Sequence, residues 1–477
     1  MPPHRRSLRD PAGALWSWQG RLLRTVRPES AADVRAFLES PAALTLMEER
    51  RLIETCVLNG EAADEAGLPQ MFSRDDPRGG LVLEHAVVPF ASHPAEWPPE
   101  MLLAAAELTL DLTETALPAG YSLKDATPLN VLFRGPRPVF VDVLSFERGD
   151  PRAAAWLPYA QFVRTFLLPL LAHRYAGLPL RDAFLGRRDG LEPREVGLLL
   201  RGLDRWRPTV WTYVTLPHRL SRLGEAEVTT ERTHRPQDPE KARFILEWQL
   251  RKLRKAVRAV TPRPRRSPWS SYDESNTYSG AAVAAKDSII RQTLGARQPK
   301  WILDVGANRG RYSMAAAESG ASVVSIDTDP AVLGRLWTEA AARSLDILPL
   351  VVDFARPTPA LGWRNEEFPS FLERAAGRFD GVLMLAVIHH LLVTEGIPLR
   401  EILKTAAEIS TGFAIVEFVP PEDAMFRRIA RGRDALHAGL DYDAFESACR
   451  EFYEVAERHD LTDTARRLYV LERRRES

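Results

Sequence analysis

The sequence predicts a two-domain protein whose C-terminal part, 276–477, is an α/β fold built on a parallel, Rossmann-like sheet. Three observations lead there. A chain of 477 residues exceeds what a single ordinary core organises. Between roughly Thr229 and Tyr278 the composition turns rich in Pro, Ser and Arg, the mark of a boundary. Beyond it, short apolar runs alternate with amphipathic helical stretches, the pattern of a parallel sheet covered by helices.

Taken in order, the N-terminal region 1–235 reads as an α+β domain. RLLRTV, RLIETCV and GLVLEHAVV are candidate strands, and MLLAAAELTLDLTETAL is a long helix that leads into GYSLKDATPLNVLFRGPRPVFVDVLSFE. The stretch 236–275 reads as a basic, Pro/Ser-rich linker containing the helix EWQLRKLRKAVRAV. Then come WILDVG (strand), RYSMAAAESG (helix), SVVSID (strand), PAVLGRLWTEAAARS (helix) and ILPLVVD (strand). FDGVLMLA (strand), LREILKTAAEI (helix) and GFAIVEF (strand) complete the alternation.

Composition excludes several classes. Basic and acidic residues balance at 64 each, so no global charge favours nucleic acid or an anionic membrane surface. Cys56 and Cys449 are the only cysteines and lack CxxC spacing, which argues against a disulfide framework or a zinc site. No run of about 18 apolar residues occurs, and the N-terminal segment lacks the apolar core of a secretory signal. The expectation is a cytoplasmic protein without a membrane span. From Arg251 to Arg266 there are eight basic residues and no acidic one, a candidate nucleic-acid contact set against the plainer reading of a solvated helix.

The first α/β strand runs into Leu303-Asp304-Val305-Gly306-Ala307-Asn308-Arg309-Gly310. Two glycines here let the backbone turn tightly and approach a ligand at the carboxyl end of the sheet. The second strand ends at Asp327, 23 residues after Asp304, where a carboxylate can accept ribose hydroxyls. The third ends at Asp353-Phe354, a polar group beside an aromatic face suited to a purine.

In order and spacing, LDVGANRG, VVSIDTDP, VVDFA and FDGVLMLAVIHHL resemble the motifs of class I S-adenosylmethionine (SAM) dependent methyltransferases, over Ala281 to Arg473. The resemblance implies SAM as cofactor and no metal in this domain. Gly306, Ala307, Asn308 and Gly310 would pack on the methionine part of SAM, with Asp304 ordering the loop. Asp327 and Thr328 would hold the ribose, Asp353 and Phe354 the adenine, and Ala386 would line the site. Asn308 stands where the family usually has glycine. Tyr278 and Lys286 fall where related enzymes place residues over the cofactor.

Methyl transfer needs alignment of the acceptor and, for some acceptors, removal of a proton. His389 and His390, after the fourth strand, are candidate bases, since an imidazole titrates near neutrality; Glu417, at the end of the fifth, is another. Arg427, Arg428, Arg431 and Arg433 follow where related folds carry a substrate lid, and suit a carboxylate or phosphate on the acceptor as well as they suit an exposed helix face. The acceptor itself is not readable, a small molecule being favoured.

In the N-terminal region, Asp125 and Asn130 stand in a D-x-x-x-x-N pattern followed by Asp142. This resembles the catalytic loop and metal aspartate of protein kinases and aminoglycoside phosphotransferases, which implies a kinase-like fold, ATP with magnesium, Asp125 as base, and Asn130 and Asp142 as metal ligands. Against the pattern, no lysine precedes Lys124 and no glycine-rich loop is present, although an arginine can take the lysine's place. The complete arrangement resembles a bacterial group of methyltransferase-like proteins that includes nodulation-associated members. Two alternatives stay open: a pseudokinase-like regulatory protein that senses SAM, and a small-molecule phosphotransferase fused to a methyltransferase.

Overall fold

The computed structural model describes residues 4–5, 11–58, 80–223, 238–262, 280–432, 434–437 and 439–474. They divide into two compact units, Met1–Arg263 with Leu361–Phe368, and Pro264–Ala360 with Pro369–Ser477. None of the described helices is long and apolar enough to cross a membrane.

The first unit opens with β1 (His4–Arg5), β2 (Gly13–Trp18) and β3 (Arg21–Val26), then α1 (Pro28–Leu38), α2 (Pro41–Glu48), β4 (Thr55–Val57) and β5 (Leu81–His85). The strands form an antiparallel sheet in the order β1-β2-β3-β5-β4. RLIETCV, expected as one strand, contributes only Thr55–Val57. The backbone before it turns away to exchange hydrogen bonds with Phe140, through Ile53 N–H to the Phe140 carbonyl (2.9 Å) and Phe140 N–H to that of Arg51 (2.8 Å).

The helix α3 (Pro99–Ala116) buries Met101, Leu102, Ala105, Leu108, Leu110 and Leu112 around most of its circumference, as befits a helix at the centre of a core. After it come β6 (Tyr121–Leu123), the hairpin β7 (Val131–Arg134) and β8 (Arg137–Phe140), and β9 (Phe146–Arg148), which pairs with β6. An antiparallel sheet with two helices, α1 and α2, between β3 and β4, then a long helix, then a loop and short hairpin, is the α+β succession of this unit.

The helix α4 (Pro239–Ala259) belongs to this unit and is not the linker the composition suggested. It buries Leu246, Leu250, Leu253 and Val257. Its Arg254 pairs with Asp111 (2.7 Å) and Glu114 (2.9 Å) of α3, and Arg258 pairs with Glu107 (2.8 Å). Two members of the basic run are therefore engaged within the protein, Lys252 lies 3.7 Å from the Trp248 ring centroid, and residues 263–266 fall outside the described set.

The second unit contains α5 (Gly280–Arg297), β10 (Trp301–Val305), α6 (Arg311–Glu318), β11 (Ser322–Asp327), α7 (Pro330–Arg343) and β12 (Ile347–Val351). It continues with β13 (Phe379–Met384), α8 (Ile388–Val393), α9 (Leu399–Ile409), β14 (Ser410–Phe418), α10 (Ala424–Ala430), α11 (Tyr442–Cys449), β15 (Tyr453–Asp460) and β16 (Arg467–Arg473). The sheet order is β12-β11-β10-β13-β14-β16-β15, parallel as far as β14 and antiparallel beyond. This is the Rossmann-like sheet of a class I methyltransferase. Pro349 is tolerated in β12 because that strand is the edge.

Ile302, Val323, Ile347, Leu383 and Ile415 join Ile290, Leu294, Val332, Leu333 and Leu336 in one core between the sheet and its helices. Each such side chain contributes roughly 1.5–3 kcal/mol on burial. That rigid sheet presents the carboxyl ends of β10, β11 and β13 side by side.

Candidate functional site

The turn after β10 is held by its neighbours. Gly306 and Ala307 both donate their N–H groups to the Ile326 carbonyl (2.9 and 3.0 Å), which fastens the turn to the end of β11. Gly306 and Gly310 lie at φ 72° and 75°, where only glycine is unstrained. A Cβ on Gly310 would also come within 2.3 Å of Leu336 Cδ1, and one on Gly306 within 3.2 Å of Val387 Cγ2. The loops after β10 and β13 thus touch.

Two residues that are not glycine share the left-handed region here, Asn308 at φ 50° and Ala386 at φ 56°. Such strain costs on the order of 1 kcal/mol each and collects at ligand sites. Asn308 donates its backbone N–H to Asp327 Oδ2 (2.9 Å), and Asp329 donates to Asp327 Oδ1 (3.0 Å). The Asp327 carboxylate therefore holds the turn while remaining half-buried at the strand end. Burial pushes its carboxyl above the usual range against the pull of those N–H groups. Asn308 Oδ1 is buried and has no partner among the described residues.

Asp304 is fully buried and accepts from Ser313 Oγ (2.6 Å) of α6, which in turn accepts from Ser325 Oγ (2.8 Å). It orders the loop through α6, and burial raises its carboxyl to about 6. Neither serine stood out in the sequence, although Ser313 follows Asp304 by nine residues on the buried face of a helix.

Asp353 lies two residues past the end of β12. It accepts from the Ala355 N–H (2.9 Å) and pairs with Arg356 (2.7 Å), so its carboxylate already has partners next to a half-buried Phe354. Thr328 is exposed beside Asp327. Tyr278 lies outside the described residues.

His389 is 1% exposed, its ring 4.3 Å from that of His390, and neither of its ring nitrogens has a hydrogen-bond partner among the described residues. Burial, then the neighbouring His390 and Arg466, lowers its pKa well below the ordinary value, so it is neutral at physiological pH. His390 is half-buried and shifted the same way by burial and Arg466.

Glu417 does not fit the part of a free base. It is 0% exposed and its two oxygens face two cations, Lys286 Nζ at 2.5 Å and Arg466 Nη1 at 3.5 Å. Lys286, expected over the cofactor, is instead this buried counter-ion, with Tyr312 beneath it at 5.0 Å. Arg466 also reaches Asp423 through Nε (2.8 Å) and Nη2 (3.1 Å), and Asp423 caps α10 by accepting from the Met425 N–H. Arg466 comes from the turn before β16 and carries no motif. Arg427, Arg428 and Arg431 are exposed; Arg433 lies outside the described residues.

In the first unit, Asn130 and Asp142 come together through a residue the sequence did not single out. Asn130 Nδ2 donates to Ser145 Oγ (3.1 Å), and Ser145 Oγ donates to Asp142 Oδ2 (2.6 Å). Asp142 Oδ1 pairs with Arg24 Nη1 (2.9 Å) from β3. Asp125, half-buried, has no hydrogen bond or ion pair among the described residues, while the backbone of Ala126 is pinned by Gln161 (2.7 Å) and Thr165 (3.2 Å). Among the described residues no cluster of three or more His, Cys, Asp or Glu side chains is placed to hold a metal.

No family model matches the chain. It is 30% identical over 470 residues to the nodulation protein NoeA of Rhizobium meliloti (strain 1021), covering 98% of this chain and 95% of that one. An uncharacterised protein of Mycobacterium tuberculosis is 34% identical over 134 residues, 27% of this chain and 42% of the relative. Among solved structures, the N-methyltransferase NodS from Bradyrhizobium japonicum WM9 overlaps 41% of this chain and 98% of its own, at 13% identity and a TM-score of 0.31. The bifunctional kinase-methyltransferase WbdD overlaps 44% of this chain and 42% of its own, at 17% identity and a TM-score of 0.31. Structural overlaps at this level carry no weight for activity or substrate.

Proposed function

This chain belongs to the family of the nodulation protein NoeA over nearly its full length, and from that premise we propose that it is a SAM-dependent methyltransferase acting on a small-molecule acceptor. The observation that carries the reading is the Asp327 carboxylate, which sits at the end of the second parallel strand and anchors a left-handed turn through the Asn308 N–H. The residues fit the cofactor. Asn308 Oδ1 is an unmatched buried acceptor, the turn is stripped of side chains at Gly306 and Gly310, and the carboxylate lies where a ribose is bound in such folds.

SAM supplies a methyl group on a positively charged sulfur. Gly306, Ala307, Asn308 and Gly310 receive its methionine end, Asp327 with Thr328 the ribose, and Asp353 with Phe354 the adenine, while the strained backbone of Ala386 lines the floor. His389, neutral because it is buried beside Arg466, accepts the proton that a hydroxyl or amine acceptor loses. Lys286, Glu417, Arg466 and Asp423 hold β14 and α10 around it.

The test is transfer of label from methyl-tritiated SAM into a fractionated small-molecule extract. Label in a small molecule, with S-adenosylhomocysteine formed in equal amount, is the expected result. SAM binding without any turnover would favour the sensing alternative.

A further inference from the structure

The helix α4 has an outer side that methyl transfer does not use. Its inner side is buried through Leu246, Leu250, Leu253 and Val257. Three of its arginines are paired: Arg254 with Asp111 and Glu114, Arg258 with Glu107, and Arg243 with Glu247 (2.9 Å). The helical period gathers the other four cations, Lys241, Arg251, Lys252 and Lys255, along the opposite side, where all are exposed. None of the four has an ion pair among the described residues.

Interleaved with them, one turn apart, stand Phe244, 63% exposed, and Trp248, 45% exposed. The Lys252 ammonium lies over the Trp248 indole, 3.7 Å from its centroid. From Lys241 to Lys255 the stripe is about 20 Å long at 1.5 Å per residue. It holds no free carboxylate, since Glu247 at its margin is taken by Arg243. Two adjacent aromatic side chains in water, set among unpaired cations, make a surface that suits a partner both anionic and apolar.

The choice of cation narrows that partner. The chain has only seven lysines among its 64 basic residues, yet three of the four cations here are lysine. A guanidinium fork gives the fixed, bidentate contact that nucleic-acid phosphates reward, whereas an ammonium is a point charge on a flexible stem. Such stems lie along apolar surface while their heads stay in water, which suits a laterally mobile layer of headgroups. A second copy is disfavoured, because a two-fold contact would set these cations against themselves.

We propose that this stripe is where the first unit lies on an anionic lipid surface, with Phe244 and Trp248 entering the headgroup boundary and the four cations meeting lipid phosphates. Aromatic side chains favour that boundary, and a helix lying in its plane needs no spanning segment. Four cations near such a surface add on the order of a thousandfold to partitioning, and the contact is reversible and screened by salt. This placement is independent of the chemistry assigned to the second unit.

The test is co-sedimentation of the full-length chain with vesicles of phosphatidylcholine alone, and of phosphatidylcholine with about one third phosphatidylglycerol, at low and high salt. Binding to the anionic vesicles about tenfold or more above the neutral ones, weakening as salt rises, is expected. Lys252→Gln with Lys255→Gln removes two of the cations and should weaken it roughly thirtyfold, whereas Lys252→Arg with Lys255→Arg should hold it within about threefold. Phe244→Ser with Trp248→Ser should weaken it about tenfold or more and leave the salt dependence in place.

These side chains are all exposed, so the melting temperature should not move, and it certifies that each variant is folded. The proposal is overturned by any of four results: no binding to anionic vesicles at low salt, equal binding to both compositions, unchanged binding in a folded Lys252→Gln/Lys255→Gln chain, or a polyuridylate oligonucleotide bound more tightly than the vesicles and lost in the Phe244→Ser/Trp248→Ser chain. Self-association that the same variants abolish, without vesicle binding, would give the stripe to a second copy instead.

Discussion

Asp304 shows how one buried carboxyl leaves a signature in solution. Its folded pKa is raised to about 6 by burial, while an unfolded chain would ionise near the ordinary 3.9. Between those values the native state holds a proton that the unfolded state has lost, so this residue makes stability fall as pH rises from about 4 to 6. The loss amounts to about 3 kcal/mol, at 1.36 kcal/mol per pH unit. Asp304→Asn should remove that slope, and denaturant melts of both chains at pH 4, 5, 6 and 7 will read it. His389→Gln is a second case. It should lower turnover by roughly 10²–10⁴ with SAM affinity unchanged. Because His389 is held neutral, the acid limb of the unaltered enzyme's rate should lie well below the ordinary histidine value of about 6.5. A limb centred there or above would remove His389 from the base role. At this scale the acidic strand ends were legible because chemistry and spacing coincide in Asp304, Asp327 and Asp353. Ser313, Arg466 and Arg24 were not, because their partners lie far off in sequence or across a turn whose geometry no motif encodes.

Among the elements, those with a clean period were legible from the chain. β10, β11, α7, β13, α9 and β14 fall where apolar runs and amphipathic stretches placed them, and α3 reads as a long apolar helix. The hairpin β15–β16 did not announce itself, since β15 is largely exposed and its sequence YEVAERHD is mostly polar. The helix α4 was misplaced for a related reason: its basic face looks solvated until the carboxylates of α3 are set against it. Lys286, Glu417, Arg466 and Asp423 join α5, β14, the turn before β16 and the cap of α10. Removing one member strands buried charge, so Arg466→Met should cost roughly 3–5 kcal/mol. A shift in the second unit's chemical melt of less than 1 kcal/mol would mean the network is not the brace described. Because Asp423 caps α10, the same variant should speed amide exchange in 424–430 more than in β10 or β13.

For the molecule as a whole, the NoeA relationship covers 98% of this chain and 95% of that one, so it spans both units. The sequence balance of 64 basic and 64 acidic residues is consistent with an acceptor recognised locally and not by a long-range field. A ligand that binds only the folded second unit stabilises it by mass action, about 2.7 kcal/mol at one hundred times its Kd. The most direct measurement is therefore isothermal titration of the full-length chain with SAM, beside the same titration of Asp327→Ala. Saturable one-to-one binding that falls at least a hundredfold in a folded Asp327→Ala chain is the predicted result. Folded protein that takes up no SAM, or an Asp327→Ala chain that binds it unchanged, would contradict the assignment of the methyltransferase site.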